Sequence, residues 1–184
     1  FNKLLYDLFG IASNSIALID LSTFSQISQL IIFFITLDFF QWLTHIMMHR
    51  FDFLWKFHKV HHSVKEMGFA AHFHYHWMEN ILYKPLKVFA VMLIGGFEPE
   101  QAYLIHFLTI TIGHLNHSNI KLSYGAFKYI FNNPIMHLHH HASSSSNNFK
   151  TGVNFAISLS IWDYIFKTNY IPNENGDTKL GYEG

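Results

Sequence analysis

The sequence predicts an all-α, integral-membrane helical bundle with a histidine-rich cap on its cytoplasmic side. Three observations predict it. Half of the 184 residues are hydrophobic and only 13% are charged, against about 25% in soluble domains, so part of the chain is solvated by lipid. Apolar runs recur along it, the longest at 27–48. Fifteen histidines are the main compositional excess, and most fall in two clusters beside those runs. The length fits a single domain over 1–184 with its core at 27–168. The chain begins at Phe1 with no signal-peptide pattern, and the expectation is of a longer protein whose N-terminal part is missing.

Residues 1–25 read as an interfacial lead-in, with Gly10 and Asn14 interrupting any long helix. From Ile27 to Met48 the only formally charged residue is Asp38, and roughly 20 apolar residues span a hydrocarbon core of about 30 Å. No Lys or Arg lies between Lys3 and Arg50, after which Arg50, Lys56, Lys59 and Lys65 arrive together. Basic residues collect on the cytoplasmic side, which places the end of this helix there. Asp38 lies two turns before His45 on the same face, and an ionisable group inside such a helix faces the bundle interior.

Residues 63–80 form a polar-aromatic link, with His72, His74 and His76 as second-layer or interfacial groups. Two further runs, 81–94 and 102–117, read as a helical hairpin. Gly95 and Gly96 end its first arm and Pro99 opens its second. His106 reads as a packed polar residue in mid-span, and His117 lies at the end, level with the histidine clusters. Residues 123–133 return along the surface, and Pro134 opens a helix bearing the second cluster. Residues 142–148 are a loop by composition. The run 153–166 is apolar again, with Trp162 and Tyr164 suited to a membrane boundary. The tail from Asn169 reads as poorly ordered.

The chemistry sits in the histidines. The stretch HIMMHRFDFLWKFHKVHH, residues 45–62, holds His45, His49, His58, His61 and His62; MHLHHH repeats H-x-x-H-H at His137, His140 and His141. A helix brings residues three and four apart onto one face, so His45 and His49 point the same way, and His58 can share a face with His61 and His62. Imidazole is the commonest metal-ligating side chain. Zinc is usually satisfied by four ligands, so so many histidines over-supply one ion and suit two. The Glu-x-x-His pattern of soluble di-iron bundles is absent. So is H-E-x-x-H, because Ile46, Met47 and Met48 follow His45. With no cysteine, thiolate zinc sites, cysteine-ligated iron–sulfur clusters, disulfides and cysteine nucleophiles are excluded. Formal net charge is zero, and the sparse lysines form no phosphate-tracking stripe, so no nucleic acid is expected.

The ordered set of motifs resembles the fatty acid hydroxylase / sterol desaturase superfamily. It comprises H-x-x-x-H at His45 and His49, then L-W-x-x-H-x-x-H-H from Leu54 to His62. HWME follows at His76 to Glu79, HSNI at His117 to Ile120, and PIMHLHHH ends at His141. NFA at Asn154 to Ala156 and WDYIFKT at Trp162 to Thr168 complete it. Ile46, Trp77, Ala156 and Lys167 depart from the family's usual residues, and none of these is a presumed ligand. The resemblance implies a membrane-bound, non-haem di-iron oxygenase that hydroxylates or desaturates a lipid C–H bond. Its metal ligands map to His45, His49, His58, His61, His62, His137, His140 and His141, with His117 as a ninth. His139 falls between motif positions. Asp38, His76, His114, Asn119, Asn154 and Asp163 are expected as supporting residues.

The implied cofactors are two iron ions, with zinc as an isolated substitute. The implied partners are a lipid, O2 and a separate electron donor (cytochrome b5-like, ferredoxin or reductase), because no haem or flavin motif is present. The membrane is the endoplasmic reticulum in a eukaryote and the inner membrane in a bacterium. Two readings compete: a non-catalytic zinc-binding or metal-handling membrane protein, and an inactive family scaffold.

Overall fold

The computed structural model describes residues 17–81, 85, 93–96, 98–143, 152–171 and 178–181. Its helices are α1 (Gln26–Arg50), α2 (Asp52–His58), α3 (Pro99–Asn116), α4 (Pro134–His140) and α5 (Ile161–Ile165). Short 3-10 turns lie at His61–Ser63, Phe69–Phe73 and Gly125–Tyr129. The fold is mostly helical but not purely so, because β1 (Ile19–Asp20) pairs in parallel with β2 (Ile94–Gly95). Gly95 therefore sits in a ladder, and Gly96 turns the chain with φ +80°, where an added Cβ would collide with the Ser22 backbone nitrogen.

α1 forms where a capping serine meets an uninterrupted apolar run. The Ser25 hydroxyl accepts the Ser28 N–H at 3.2 Å, and Phe51 ends the helix in an extended conformation. At 1.5 Å per residue, its 25 residues span about 37 Å. Ile27, Ile31 and Ile35 recur every four residues and are exposed, Ile27 to 71%. Opposite them Gln29 and Phe33 are buried, and in the second half of the helix the isoleucines' own face turns inward, burying Asp38, Trp42 and His45. Apolar side chains on the outward face as well as the inward one suit a helix whose solvent is not water. Among the described residues α1 is the one helix long and apolar enough to cross a membrane.

α3 opens as expected at Pro99, behind a reciprocal capping box between Glu98 and Gln101. The Gln101 amide donates to Gln29 at 2.9 Å, and the Gln29 amide donates to the Leu21 carbonyl at 2.9 Å. These bonds tie the start of α3 to α1 and to the segment after β1. Tyr103, Leu104, Phe107 and Leu108 are exposed on α3. The first hairpin arm, the lead-in through residue 16 and most of the 142–148 loop lie outside the described residues.

Three expectations are corrected. Of residues 153–166, only Ile161–Ile165 are helical, and 153–160 form an almost wholly buried irregular strap. Its Phe155 and Ala156 pack with Trp42, flanked by Phe39, Leu43, Ile46 and Trp162. Trp162 accordingly points inward, donating to Asp38 at 2.9 Å, and not to a headgroup layer. His106 is exposed on α3, not buried in its span, and lines the cavity at the histidine cluster. The tail is tied down where described: the Tyr170 N–H donates to Asn154 at 2.7 Å, and the Ser143 N–H to the Lys179 carbonyl at 2.8 Å.

Candidate metal centre

Four segments deliver the histidines to one place. Near the end of α1, His45 and His49 lie one turn apart on its inner face. α2 ends at His58, and the following 3-10 turn carries His61 and His62. His117 caps α3. α4, whose N-terminus is capped by the Asn133 side chain accepting from the Met136 N–H at 3.0 Å, carries His137 and His140, with His141 as its C-cap.

The nine rings divide into two groups: His45, His49, His58, His62 and His140, and His61, His117, His137 and His141. In each, the donor nitrogens lie within 4.8 Å of one another, and all nine residues except the half-buried His49 are buried. An ion with bonds of ~2.1 Å separates its donors by up to ~4.2 Å, so the donors of each group are already gathered on the scale of one coordination sphere. The groups adjoin, with His62 and His141 stacked at 4.4 Å between ring centroids.

The two H-x-x-H-H motifs are divided reciprocally. His58 and His62 serve one group while His61 turns to the other; His137 and His141 serve the second while His140 turns to the first. The expectation that His58 shares a face with both His61 and His62 therefore holds for His62 alone. Positions i and i+4 point one way, and the residue between them points roughly a quarter-turn off.

Hydrogen bonding fixes several tautomers. Nδ1 of His45 donates to the Phe155 carbonyl at 2.6 Å, that of His140 to Val153 at 2.8 Å, that of His61 to His74 at 3.0 Å and that of His117 to Gly113 at 2.6 Å. Each of these rings then presents a bare Nε2 lone pair, as a metal-binding imidazole does. His61 and His117 aim those lone pairs at each other across 3.0 Å. Two acceptors at that distance repel unless a cation lies between them. Nε2 of His49, His62 and His140 and both ring nitrogens of His141 are buried without a hydrogen-bond partner, a costly arrangement for an apolar interior.

A proton is a poor candidate for that cation. Burial holds His58, His62, His137, His140 and His141 well below the usual histidine range, and crowding by neighbouring imidazoles adds to it. Burial lowers His61 to about 4. These rings are neutral at pH 7, which is the form that ligates metal. The donor set therefore fits metal ions.

The supporting residues are placed unevenly. Glu79, passed over in the sequence, lies 3.1 Å from His58 Nδ1 through Oε2. Burial raises its carboxyl to about 8, so with no ion nearby this close contact joins two neutral groups and is not a salt bridge. The signal for Glu79 was the last letter of HWME; His76 of the same motif faces Phe57 and Trp77 instead. His114 stands one layer out, donating to the Phe69 carbonyl at 3.0 Å with its ring 4.4 Å from His72. His72, in turn, stacks on His117 at 4.7 Å. Asn119 is exposed and lines a separate cleft with Lys121 and Leu138. Asp38 accepts from the Leu159 N–H at 3.1 Å and from Trp162 and touches the strap, not His45. Asn154 and Asp163 hold that strap from within. His139 belongs to neither group and packs against Tyr170.

A cavity of about 230 Å³ reaches both groups, touching His45 and His58 of one and His61 and His117 of the other. Gln41 of α1 and Ile110 of α3 also line it.

The fatty acid hydroxylase family matches residues 30–168. The chain is 27% identical to an ornithine lipid hydroxylase, OlsE, of Rhizobium tropici over 157 residues, covering 85% of this chain and 46% of that protein. It is also 27% identical to an alkylglycerol monooxygenase of Homo sapiens over 146 residues, covering 77% of this chain and 30% of that one. The chain thus spans less than half the length of these relatives. No solved structure matches it.

Proposed function

The chain belongs to the fatty acid hydroxylase family, and from that premise we propose that it is the catalytic domain of a membrane-bound oxidoreductase that hydroxylates a lipid with O2 and two electrons. The observation that carries the reading is the pair of bare Nε2 atoms of His61 and His117, 3.0 Å apart among nine clustered imidazoles. An imidazole-only donor set suits iron as well as zinc and copper. Bound iron would supply activation of O2 and hydrogen abstraction from an unactivated C–H bond.

The chain's own residues bind, orient and exclude water. His45, His49, His58, His62 and His140 would hold one ion, and His61, His117, His137 and His141 the other. Lipid would enter laterally between α1 and α3, and the cavity beside Gln41 and Ile110 would present its reacting carbon to both groups. The exposed isoleucines of α1 would face acyl chains. The cluster of Arg50, Lys56, Lys59 and Lys65 supports a cytoplasmic site in a multi-pass bundle. Electrons would come from a separate cytochrome, ferredoxin or reductase. The two relatives are a lipid hydroxylase and an alkylglycerol monooxygenase, which favours hydroxylation over desaturation.

Lipidomics of cells expressing the full-length protein tests this. Wild type should accumulate a lipid gaining one oxygen atom that is absent with His140→Ala. A product lacking two hydrogens would make it a desaturase. Bound zinc without lipid-dependent oxygen uptake would instead favour a metal-handling protein.

A further inference from the structure

The strap at 153–156 accepts ring N–H groups from one histidine group and not the other, and among the described residues its one bond toward the second group is from Asn154 to the Met136 carbonyl beside His137 at 3.1 Å. Its Val153 and Phe155 carbonyls accept from His140 and His45, both of the five-histidine group. The Phe155 ring touches the same group, 5.0 Å from His49 and 5.6 Å from His140 between centroids. The next carbonyls, Ala156 and Ile157, accept from Asn132 and Asn116. In the four-histidine group, the tautomer-setting carbonyls are Gly113 and His74, which belong to α3 and the polar-aromatic link.

One side chain organises the strap. The Asp163 carboxylate accepts the Phe155 N–H at 3.0 Å and the Trp42 indole N–H at 3.0 Å on Oδ1, together with the Thr168 hydroxyl at 2.6 Å. Oδ2 accepts the Ala156 N–H at 2.9 Å. Four donors converge on a fully buried group, and two of them are the peptide nitrogens that fix where the Phe155 carbonyl points. The Trp42 contact reaches back to α1, one turn before His45. A second, crossed bond from Trp162 to Asp38 closes the pair.

We infer that Asp163 is a positioning residue for one of the two metal sites: by fixing the 153–156 strap it sets the orientation of His45 and His140, and the His61 group is independent of it. This rests on the two-ion reading above. Outer partners of ligating histidines typically change metal affinity 10–100-fold. An Asp163→Asn carboxamide offers one acceptor oxygen and turns an NH2 toward the remaining donors.

The test uses the full-length protein in lipid nanodiscs, stripped of metal and titrated with Co(II), with bound cobalt counted by elemental analysis. Wild type should bind two ions. Asp163→Asn should weaken one ion by about 10–100-fold and leave the other unchanged. In a His137→Ala background, where the five-histidine group is the intact site, Asp163→Asn should weaken the remaining ion. Wild type binding fewer than two ions would refute the two-ion reading, and this inference with it. Wild type binding two while Asp163→Asn binds both unchanged, or weakens both equally, would overturn the inference alone. If Asp163→Asn does not fold, Trp42→Phe removes one of the four donors and is read the same way. A several-fold loss at one ion supports the inference; none, or equal loss at both, overturns it.

Discussion

Acid should open the metal-free protein over a narrow pH range. His61 is held at about 4 in the fold against roughly 6.5 in an unfolded chain. A group whose folded pKa is depressed contributes stability above its unfolded value and loses it as pH falls toward the folded one. At pH 5.5 the unfolded state has bound most of a proton that the folded state has not, which costs on the order of 1 kcal/mol for this residue. His58, His62, His137, His140 and His141 are shifted in the same direction. With six groups shifted the same way, the combined loss is a large share of a typical total stability of about 5–15 kcal/mol. Bound metal occupies the bare ring nitrogens that acid would otherwise protonate and should move the transition to lower pH. The assay is thermal unfolding of apo and Co(II)-loaded protein in nanodiscs from pH 7.5 to 5. The apo Tm should fall steeply below pH 6.5, with the loaded protein lagging behind. A flat apo Tm down to pH 5 would refute the claim that the cluster is buried and neutral.

Three other perturbations have defined outcomes. Glu79→Leu removes the carboxyl beside His58 Nδ1 and should lower metal affinity ~10–100-fold, read by competition with a chelator. Gly113→Ala should reduce metal loading: its Cβ would lie 2.5 Å from the His72 ring, which stacks on His117. The overpacking cost of about 1–3 kcal/mol outweighs the ~1 kcal/mol gain in helix propensity; unchanged loading and Tm would show that the His72 ring moves freely. Ile31→Arg on the exposed face of α1 should cost about 2.5–3.5 kcal/mol of insertion and reduce the membrane-extractable fraction, whereas no change would argue against a lipid-facing α1.

What was legible in the sequence was what side chains announce. α1 followed from the apolar run at 27–48 ending just before Arg50, α3 from Pro99, and α4 from Pro134 before the second histidine triplet. The nine histidines that converge were readable from motif order and helical spacing. The partition of each triplet was not, because spacing gives angular position on one helix but not where a partner segment stands. The strap escaped for another reason: its role is carried by the backbone carbonyls of Val153 and Phe155, which every residue type possesses. Apolar composition at 153–160 reads alike for a membrane run and for a buried irregular segment. Glu79 was visible only as part of a motif, whereas His76, its more conspicuous neighbour, points elsewhere.

The most direct measurement of the central claim is a metal count with iron K-edge X-ray absorption on the full-length protein, purified without chelator and reconstituted with Fe(II). Two irons per chain, each in a shell dominated by nitrogen donors with imidazole scattering, is the predicted result. One iron or none, or a shell dominated by carboxylate oxygen, would contradict the account.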